Sequence, residues 1–354
     1  MKRILLSAAM AFMAVVALAQ YNVQNVAAEA AAAMANAPEN TKPAPKPQYW
    51  TRSVMTQVNF VQGSFTNWAK GGNNSVALSS YVDANANYAK GDMVWKNRLQ
   101  LDFGLLYSQD KPIIQKNRDR ILLESTFGYK AAEHLNYAAT FTFLNQFADG
   151  FIYGTPSKPA DAADDWKPSS RDWRSARNLK SAFFSPANIT LGLGIDWIPN
   201  EWLTINFAPL TGGIIVVSES RLRANYGMDL HTGHDASEAI KDAQGLLVNG
   251  NIYRQVRFEF GTQVKAEGKI KINDNFDGST QLILFSNYLV NPGNLRVNWD
   301  NRINWKVAKY FTLNLTTNLI YDDTILIVDD NHPNGHKAVQ LSEALQFGFT
   351  YTFK

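Results

Sequence analysis

Hydrophobic and polar residues alternate with a period of two along most of this chain. In one such segment Trp95, Leu101 and Phe103 fall on one side. Lys96 and Arg98 fall on the other side. Successive side chains of a β-strand point to opposite faces, so the pattern predicts strands with one apolar and one polar face. The same alternation recurs in the segments 253–272, 295–307 and 340–354.

Two kinds of connection separate the alternating segments. Short turns are predicted at 89–91, 131–133, 199–201, 273–275 and 307–309. The other links lie near 62–75, 109–117, 148–184, 213–252, 291–293 and 323–337, and all but the brief 291–293 are long and polar. Tight turns at one end and long loops at the other are typical of outer-membrane barrels. The connections together join twelve strands, and an additional hairpin at 221–230 would make the number fourteen.

The segment 340–354 has the clearest two-sided pattern. Leu345, Phe347 and Phe349 share one face, whereas Gln346 and Thr350 share the other. An aromatic-rich outer face and a polar inner face suit a strand between lipid and water. We therefore expect an all-β fold, a transmembrane antiparallel β-barrel of about twelve strands, with fourteen as the alternative. A soluble β-sandwich is the competing interpretation, because periodicity alone does not tell which face is outside.

Aromatic residues bracket the predicted short turns. They are Tyr88, Tyr129, Tyr137, Trp197, Trp202, Trp305, Tyr310 and Phe353. Membrane barrels carry girdles of aromatic residues at the membrane–water interfaces. We therefore expect these residues to form an aromatic girdle at one rim.

The first part of the chain has a different character. Residues 1–19 combine a basic start, an apolar stretch and an Ala-Leu-Ala site, which predicts a signal peptide. Residues 20–48 are rich in Ala and Pro and are interpreted as a periplasmic linker. Residues 49–354 would then form the barrel, in the outer membrane of a Gram-negative bacterium.

The composition limits the covalent bonds and the partners that we expect for this chain. The chain has no cysteine, so no disulfide can stabilise it after export. The formal net charge is +3 and falls to about +1 without Lys2 and Arg3, which implies no general attraction to nucleic acid. We expect no nucleic-acid partner and no cofactor.

Charges of both signs fall on the predicted inner faces. The candidate lumen-lining residues are Lys96, Arg98, Asp102, Arg120, Glu124, Arg257, Glu259, Arg296, Asp300 and Arg302, and Lys265 and Glu267 share the same face. Eight strands leave an interior filled by side chains, whereas sixteen leave an aqueous channel. Twelve strands therefore predict a narrow, hydrated lumen in which many charges pair. We expect a narrow channel for small polar solutes; the alternative is a closed barrel that serves as a structural or assembly partner of other envelope proteins.

The sequence gives weaker signals for catalysis, for metal binding and for contact with lipopolysaccharide. The five histidines, at 134, 231, 234, 332 and 336, all lie off the predicted strands. No predicted strand therefore places a histidine beside a serine at the lipid face, and we expect that this chain is not an enzyme.

His and Asp residues are common in loops because water solvates them, so we interpret those in the loops as solvated residues rather than as a metal site. The basic residues of 148–184 could contact lipopolysaccharide phosphates, with self-pairing as the simpler interpretation. Outer-membrane lipid and lipopolysaccharide are the expected partners.

One stretch resembles a known family. It is NWAKGGNNS, which contains Asn67, Trp68, Gly71, Gly72, Asn74 and Ser75. With Ser185-Pro186-Ala187, Ala208-Pro209 and the final Phe-Lys, it resembles an outer-membrane β-barrel family of Bacteroidota, domain of unknown function 3078. The resemblance extends over about 50–354. It implies the barrel fold and the outer-membrane location, and it implies no activity.

Overall fold

The computed structural model describes residues 48–64, 74–242, 245–322, 327–329 and 332–353. The predicted signal peptide 1–19 lies outside the described residues, as does the linker 20–48 apart from its last residue. By its internal contacts the chain divides into two units, 1–48 and 49–354. The signal peptide and linker assignments stay predictions.

Sixteen strands are described. They are β1 Trp50–Gly63, β2 Ser75–Lys90, β3 Met93–Ser108, β4 Ile114–Ala132, β5 Leu135–Asn145, β6 Gly150–Tyr153, β7 Arg177–Ser181, β8 Ala187–Asn200, β9 Leu203–Val216, β10 Val256–Asn273, β11 Phe276–Asn287, β12 Arg296–Lys306, β13 Phe311–Tyr321, β14 Ile327–Asp329, β15 His332–His336 and β16 Gln340–Phe353. One α-helix, α1, spans Ser170–Ser175. None of the helices in the described ranges has the length and hydrophobicity needed to cross a membrane.

Twelve of these strands close into a barrel. The order around the ring is β1-β16-β13-β12-β11-β10-β9-β8-β5-β4-β3-β2, and all neighbours pair antiparallel. The ring closes between β1 and β16, where Val54 pairs with Phe353 and Asn59 with Gly348. The prediction of twelve strands is confirmed. The alternative of fourteen is wrong, because Ser220–Leu222 and Ala224–Tyr226 are 3₁₀ helices instead of a hairpin.

The outer face of the barrel is apolar and uncovered. Leu191 is 53% exposed, Leu345 60% and Phe258 70%, and similar side chains surround them on other strands. The inner face holds buried polar residues such as Gln57 and Lys265. In a β-sandwich the apolar faces would pack together in the core instead. The fold is therefore a transmembrane barrel whose outer face meets lipid.

All five predicted short turns join neighbouring barrel strands, and they lie at the same end. They connect β2 to β3, β4 to β5, β8 to β9, β10 to β11 and β12 to β13. Aromatic rings cluster there: Trp50 and Tyr88 are 5.2 Å apart, and Tyr310 and Phe349 are 5.5 Å apart. Tyr129 also pairs directly with Tyr137. The aromatic residues mark this turn end as one membrane interface.

The long loops have structure of their own. β6 and β7 form a hairpin, and α1 begins with a capping box between Ser169 and Asp172. Apolar side chains from these loops and the end of β9 form a small core, which we call the loop core. Its buried members are Leu179, Ile215, Val217, Leu222, Met228 and Leu246, and Phe151, Tyr226 and Tyr253 pack against them.

Candidate functional site

The predicted lumen residues come from two sides of the barrel. Lys96, Arg98 and Asp102 lie on β3, Arg120 and Glu124 on β4, Arg257 and Glu259 on β10, and Arg296, Asp300 and Arg302 on β12. In the ring, β4 and β12 are diametrically opposite. Side chains far apart in sequence are therefore brought face to face across the interior.

One ion cluster crosses the lumen at its centre. Lys265 Nζ lies 2.7 Å from Glu124 Oε1 on β4 and 2.8 Å from Glu267 Oε1 on its own strand. Gln281 donates to both carboxylates, at 3.2 and 2.8 Å. The Lys265 and Glu124 side chains are less than a tenth exposed. Buried charges need this degree of pairing and hydrogen bonding, because desolvation otherwise destabilises them.

A second contact spans the full width of the barrel. Arg120 Nη2 lies 3.4 Å from Asp300 Oδ2, between opposite strands β4 and β12. Asn318 on β13 donates to the other oxygen of Asp300 at 2.7 Å. The two charged side chains are 32% and 25% exposed, so water reaches this ion pair.

Other arginines pair along the barrel wall. Arg98 contacts Asp83 on β2 at 2.5 Å, and Arg118 contacts Asp102 on β3 at 2.6 Å. Both arginines donate through Nε and Nη2, the two-point geometry that strengthens guanidinium–carboxylate bonds. These pairs fix the side chains against the wall and neutralise them locally.

A third charge cluster lies at the loop end. Arg296 contacts Glu259 at 2.5 Å, and Arg257 contacts the same carboxylate at 3.2 Å. Arg257 also donates to the carbonyl oxygen of Gly227 in the loop after β9. The lumen charges and the long loop are thus joined by hydrogen bonds at the barrel mouth.

Arg302 has a different environment from the other lumen arginines. Its guanidinium lies 4.0 Å from the centre of the Tyr81 ring, a cation–π contact. Its Nη1 donates to Gln57 Oε1 at 3.4 Å. Among the described residues, no carboxylate lies within ion-pair distance of Arg302.

Two cavities follow one another along the interior. The larger, of about 640 Å³, opens toward the long loops and is lined largely by Asn, Gln and charged side chains. The smaller, of about 110 Å³, lies toward the turns beside Tyr81 and Arg302. Both cavities touch Arg120 and Asp300. Asp102, Arg118 and Thr316 also line both cavities, so the Arg120–Asp300 ion pair lies where the two cavities meet.

Sequence reasoning missed Tyr81, Asp83 and Arg118. Tyr81 and Asp83 lie two residues apart, so the alternation of β2 places both on the same face, which is the inner one. Arg118 lies two residues before Arg120, so the alternation of β4 places it on the same inner face and could have found it. The bulge between β3 and β4 lies between Lys116 and Arg118 and leaves Arg118 on the face of Arg120.

The family stretch lies mostly beyond the described ranges. Asn67, Trp68, Gly71 and Gly72 are outside the described residues. Of the others, Asn74 donates to Gln109 at 2.9 Å, and Ser75 pairs with Ser108. These contacts join the start of β2 to the link that follows β3.

One loop histidine, His234, and one basic residue of the 148–184 link, Lys158, have carboxylate partners within their own loops. His234 Nδ1 lies 2.8 Å from Glu238, and this hydrogen bond lowers the pKa of Glu238. Within the described residues, no group of three or more His, Asp or Glu side chains is arranged to hold a metal ion. In the 148–184 link, Lys158 lies 3.4 Å from Asp164, and Trp173 is buried.

Comparison with known proteins gives a partial family match. The model of DUF3078, described as a protein of unknown function, matches residues 60–151, about a quarter of the chain. The match includes the NWAKGGNNS stretch but not the whole of 50–354 over which we expected resemblance. No curated protein matches the sequence. We therefore describe the chain as similar to this family over that range.

Solved structures of outer-membrane barrels also match, at low similarity. An outer-membrane channel from Pseudomonas putida F1 is 10% identical, with 90% of this chain and 99% of that chain covered and a TM-score of 0.35. The translocator domain of autotransporter NalP from Neisseria meningitidis is 10% identical, with 95% and 96% covered and a TM-score of 0.37. These scores support no argument about function, and the fold rests on the strand pairing described above.

The prediction that this chain is not an enzyme is wrong. It relied on histidines lying off the strands, yet His332 and His336 lie on β15, a short strand outside the barrel. The structural matches also include OmpT, an outer membrane protein of Vibrio cholerae, at 7% identity, with 87% of this chain and 99% of that chain covered and a TM-score of 0.27. This match assigns no activity to the chain, and the exclusion is withdrawn.

Arg223 holds the loop core together. Its guanidinium donates to the carbonyl oxygens of Val217, Tyr253 and Ser218, at 3.1, 3.0 and 3.4 Å. The residue is 9% exposed, and burial lowers its pKa. One side chain thus satisfies three carbonyl groups from both ends of the loop between β9 and β10.

Replacing Arg223 by methionine is expected to loosen this loop while the barrel stays folded. The change leaves buried carbonyl oxygens without donors, at about 1–3 kcal/mol for each group. Limited trypsin digestion should then cut the 217–255 loop much faster than in the wild type. Arg254→Met is the control, because Arg254 is an exposed side chain of the same loop. Equal digestion rates in the two variants would contradict the role of Arg223.

Proposed function

We propose that this protein is an outer-membrane channel for small polar solutes, closed in the described conformation by the Arg120–Asp300 ion pair. The observation that supports this function is the pair of polar cavities that meet at that ion pair. A route lined by polar side chains through most of the barrel favours polar solutes over apolar ones. The outer face would contact outer-membrane lipid and lipopolysaccharide.

The Arg120–Asp300 contact is suited to opening. At 3.4 Å and with both side chains partly exposed, it is weaker than the buried Glu124–Lys265 pair at 2.7 Å. Ion pairs that water reaches contribute only about 0–1 kcal/mol. Separation of Arg120 from Asp300 therefore costs little and widens the point where the two cavities meet.

Planar-bilayer recording tests the proposal. The wild-type protein should give small, discrete conductance steps. The double variant R120A/D300A removes this ion pair while keeping the net charge, and its steps should be larger, roughly twofold or more, because the narrowest point widens. The matched control is K271A/D274A, which removes an exposed ion pair of the same charge at the β10–β11 turn. Equal steps in both double variants would contradict the proposed gate.

A closed barrel with a partner in the envelope is the second candidate. The observation in its favour is the Glu124–Lys265–Glu267 cluster with Gln281, which links β4 to β10 and β11 across the lumen. If the wild type and R120A/D300A are both folded and both silent, this candidate replaces the channel. Affinity isolation in mild detergent should then recover a stoichiometric envelope protein.

A further inference from the structure

The charged side chains around the narrow part of the lumen balance one another almost completely. Arg98 is matched by Asp83, Arg118 by Asp102 and Arg120 by Asp300. The two carboxylates of Glu124 and Glu267 share Lys265, and Lys269 supplies a second positive charge beside Glu267. Lys96, which has no ion pair among the described residues, lies near the buried carboxylate of Asp196. With that charge counted, Arg302 is the cation that remains unmatched among the described residues of this region.

We infer that Arg302 makes the constriction select small anions. The inference rests on the proposed channel function and names its solute class. Arg302 lines the smaller cavity, close to the point where the two cavities meet. A single unmatched charge in a narrow site of low dielectric constant raises the local concentration of counter-ions. The lumen should therefore favour anions over cations of similar size.

The contacts of Arg302 leave it able to bind an anion. A guanidinium has five N–H donors, and the one described hydrogen bond of Arg302, to Gln57, uses a single nitrogen at 3.4 Å. The Tyr81 ring contacts the guanidinium carbon at 4.0 Å, which is a cation–π contact and not an N–H···O hydrogen bond. The other donors of Arg302 remain for a solute. Two-point binding of this kind suits carboxylate and phosphate oxygens.

The cavity also limits the size of the solute. A volume of about 110 Å³ has room for an ion such as chloride, acetate or inorganic phosphate, and is too small for a larger metabolite. The larger cavity, lined by amide side chains, would hold such ions with their water before they reach Arg302. The solute class is therefore small inorganic anions and short carboxylates.

Reversal potentials in a potassium chloride gradient test the inference. The wild type should show anion preference, and Arg302→Gln should reduce the anion-to-cation permeability ratio by roughly threefold or more. Arg302→Lys should keep most of the preference, because the charge stays. The matched control Arg52→Gln removes an exposed arginine of β1 that lies outside the lumen and should change nothing. Cation preference in the wild type, or an unchanged ratio in Arg302→Gln, would overturn the inference.

A second measurement separates this inference from the channel function. Broadening of the bromide NMR line by folded protein in detergent reports anion binding without conduction. Bromide broadening that disappears in Arg302→Gln and persists in Arg52→Gln supports the anion site even if bilayers are silent, in which case only the channel function fails. Silent bilayers together with no broadening by the wild type would reject both.

Discussion

Replacement of Lys265 by methionine is expected to destabilise the barrel by about 3–5 kcal/mol, the usual effect of removing one partner from a buried ion pair. Lys265 is 6% exposed and is the cation between Glu124 and Glu267. Without it, two carboxylates of the same sign remain close together in a site with little water. Gln281 still donates to both, but it carries no charge.

Equilibrium unfolding in guanidinium chloride, with the protein in phospholipid vesicles, measures this effect. Lys269→Met is the matched control, because Lys269 lies on the same face of β10 and is exposed. The control should change the free energy of unfolding by less than about 1 kcal/mol. Similar losses in the two variants would show that burial of the cluster is not the cause.

A compensated variant makes the test more specific. Glu124→Gln and Glu267→Gln, added to Lys265→Met, remove all three charges and keep hydrogen-bonding groups at both positions. Replacing a whole buried ion cluster is often neutral, whereas breaking one is costly. The triple variant should therefore recover most of the lost stability. If it were less stable than Lys265→Met alone, desolvated carboxylates would not explain the loss.

Replacement of Leu191 by arginine is expected to have the second large effect on stability. It tests whether this surface faces the membrane. Leu191 points outward from β8 and is 53% exposed. It lies about 20 Å along the strand from Trp197 at the turn end, near the middle of a spanning strand. An arginine on the lipid face near the bilayer midplane costs roughly 2–4 kcal/mol. The same change on a surface that faces water would cost almost nothing.

The matched control for Leu191→Arg is Val248→Arg. Val248 is 67% exposed, also apolar, and lies in the long loop after β9. Unfolding of both variants in vesicles should show a loss for Leu191→Arg and almost none for Val248→Arg. A negligible loss for Leu191→Arg would mean that this face of β8 is not in contact with lipid.

The barrel itself was predictable because its faces meet different surroundings. Alternation in β3, β10, β12 and β16 located these strands, and the short turns located their boundaries. Each of these signals is local, since it depends on residues next to one another in the chain. The extra hairpin predicted as an alternative at 221–230 was wrong, because Leu222 and Met228 pack into the loop core instead of continuing an alternation.

The site was predictable only in part. Alternation placed Arg98, Asp102 and Glu124 on an inner face, and mixed signs suggested pairing. It did not tell which carboxylate each arginine contacts. Arg98 pairs with a neighbour in the sheet, Asp83, whereas Arg120 pairs with Asp300 on the opposite wall. That difference depends on the register between strands and on the diameter of the closed ring.

By itself, the sequence determined that this chain forms strands with one apolar and one charged face, and how those strands are joined. These properties follow from alternation and turn chemistry over a few residues. Only the tertiary structure decided that Arg120 meets Asp300, that Lys265 lies between two carboxylates, and that Arg302 rests on Tyr81. The reason is physical: closing a twelve-stranded ring brings opposite walls within reach of side chains that no local pattern connects.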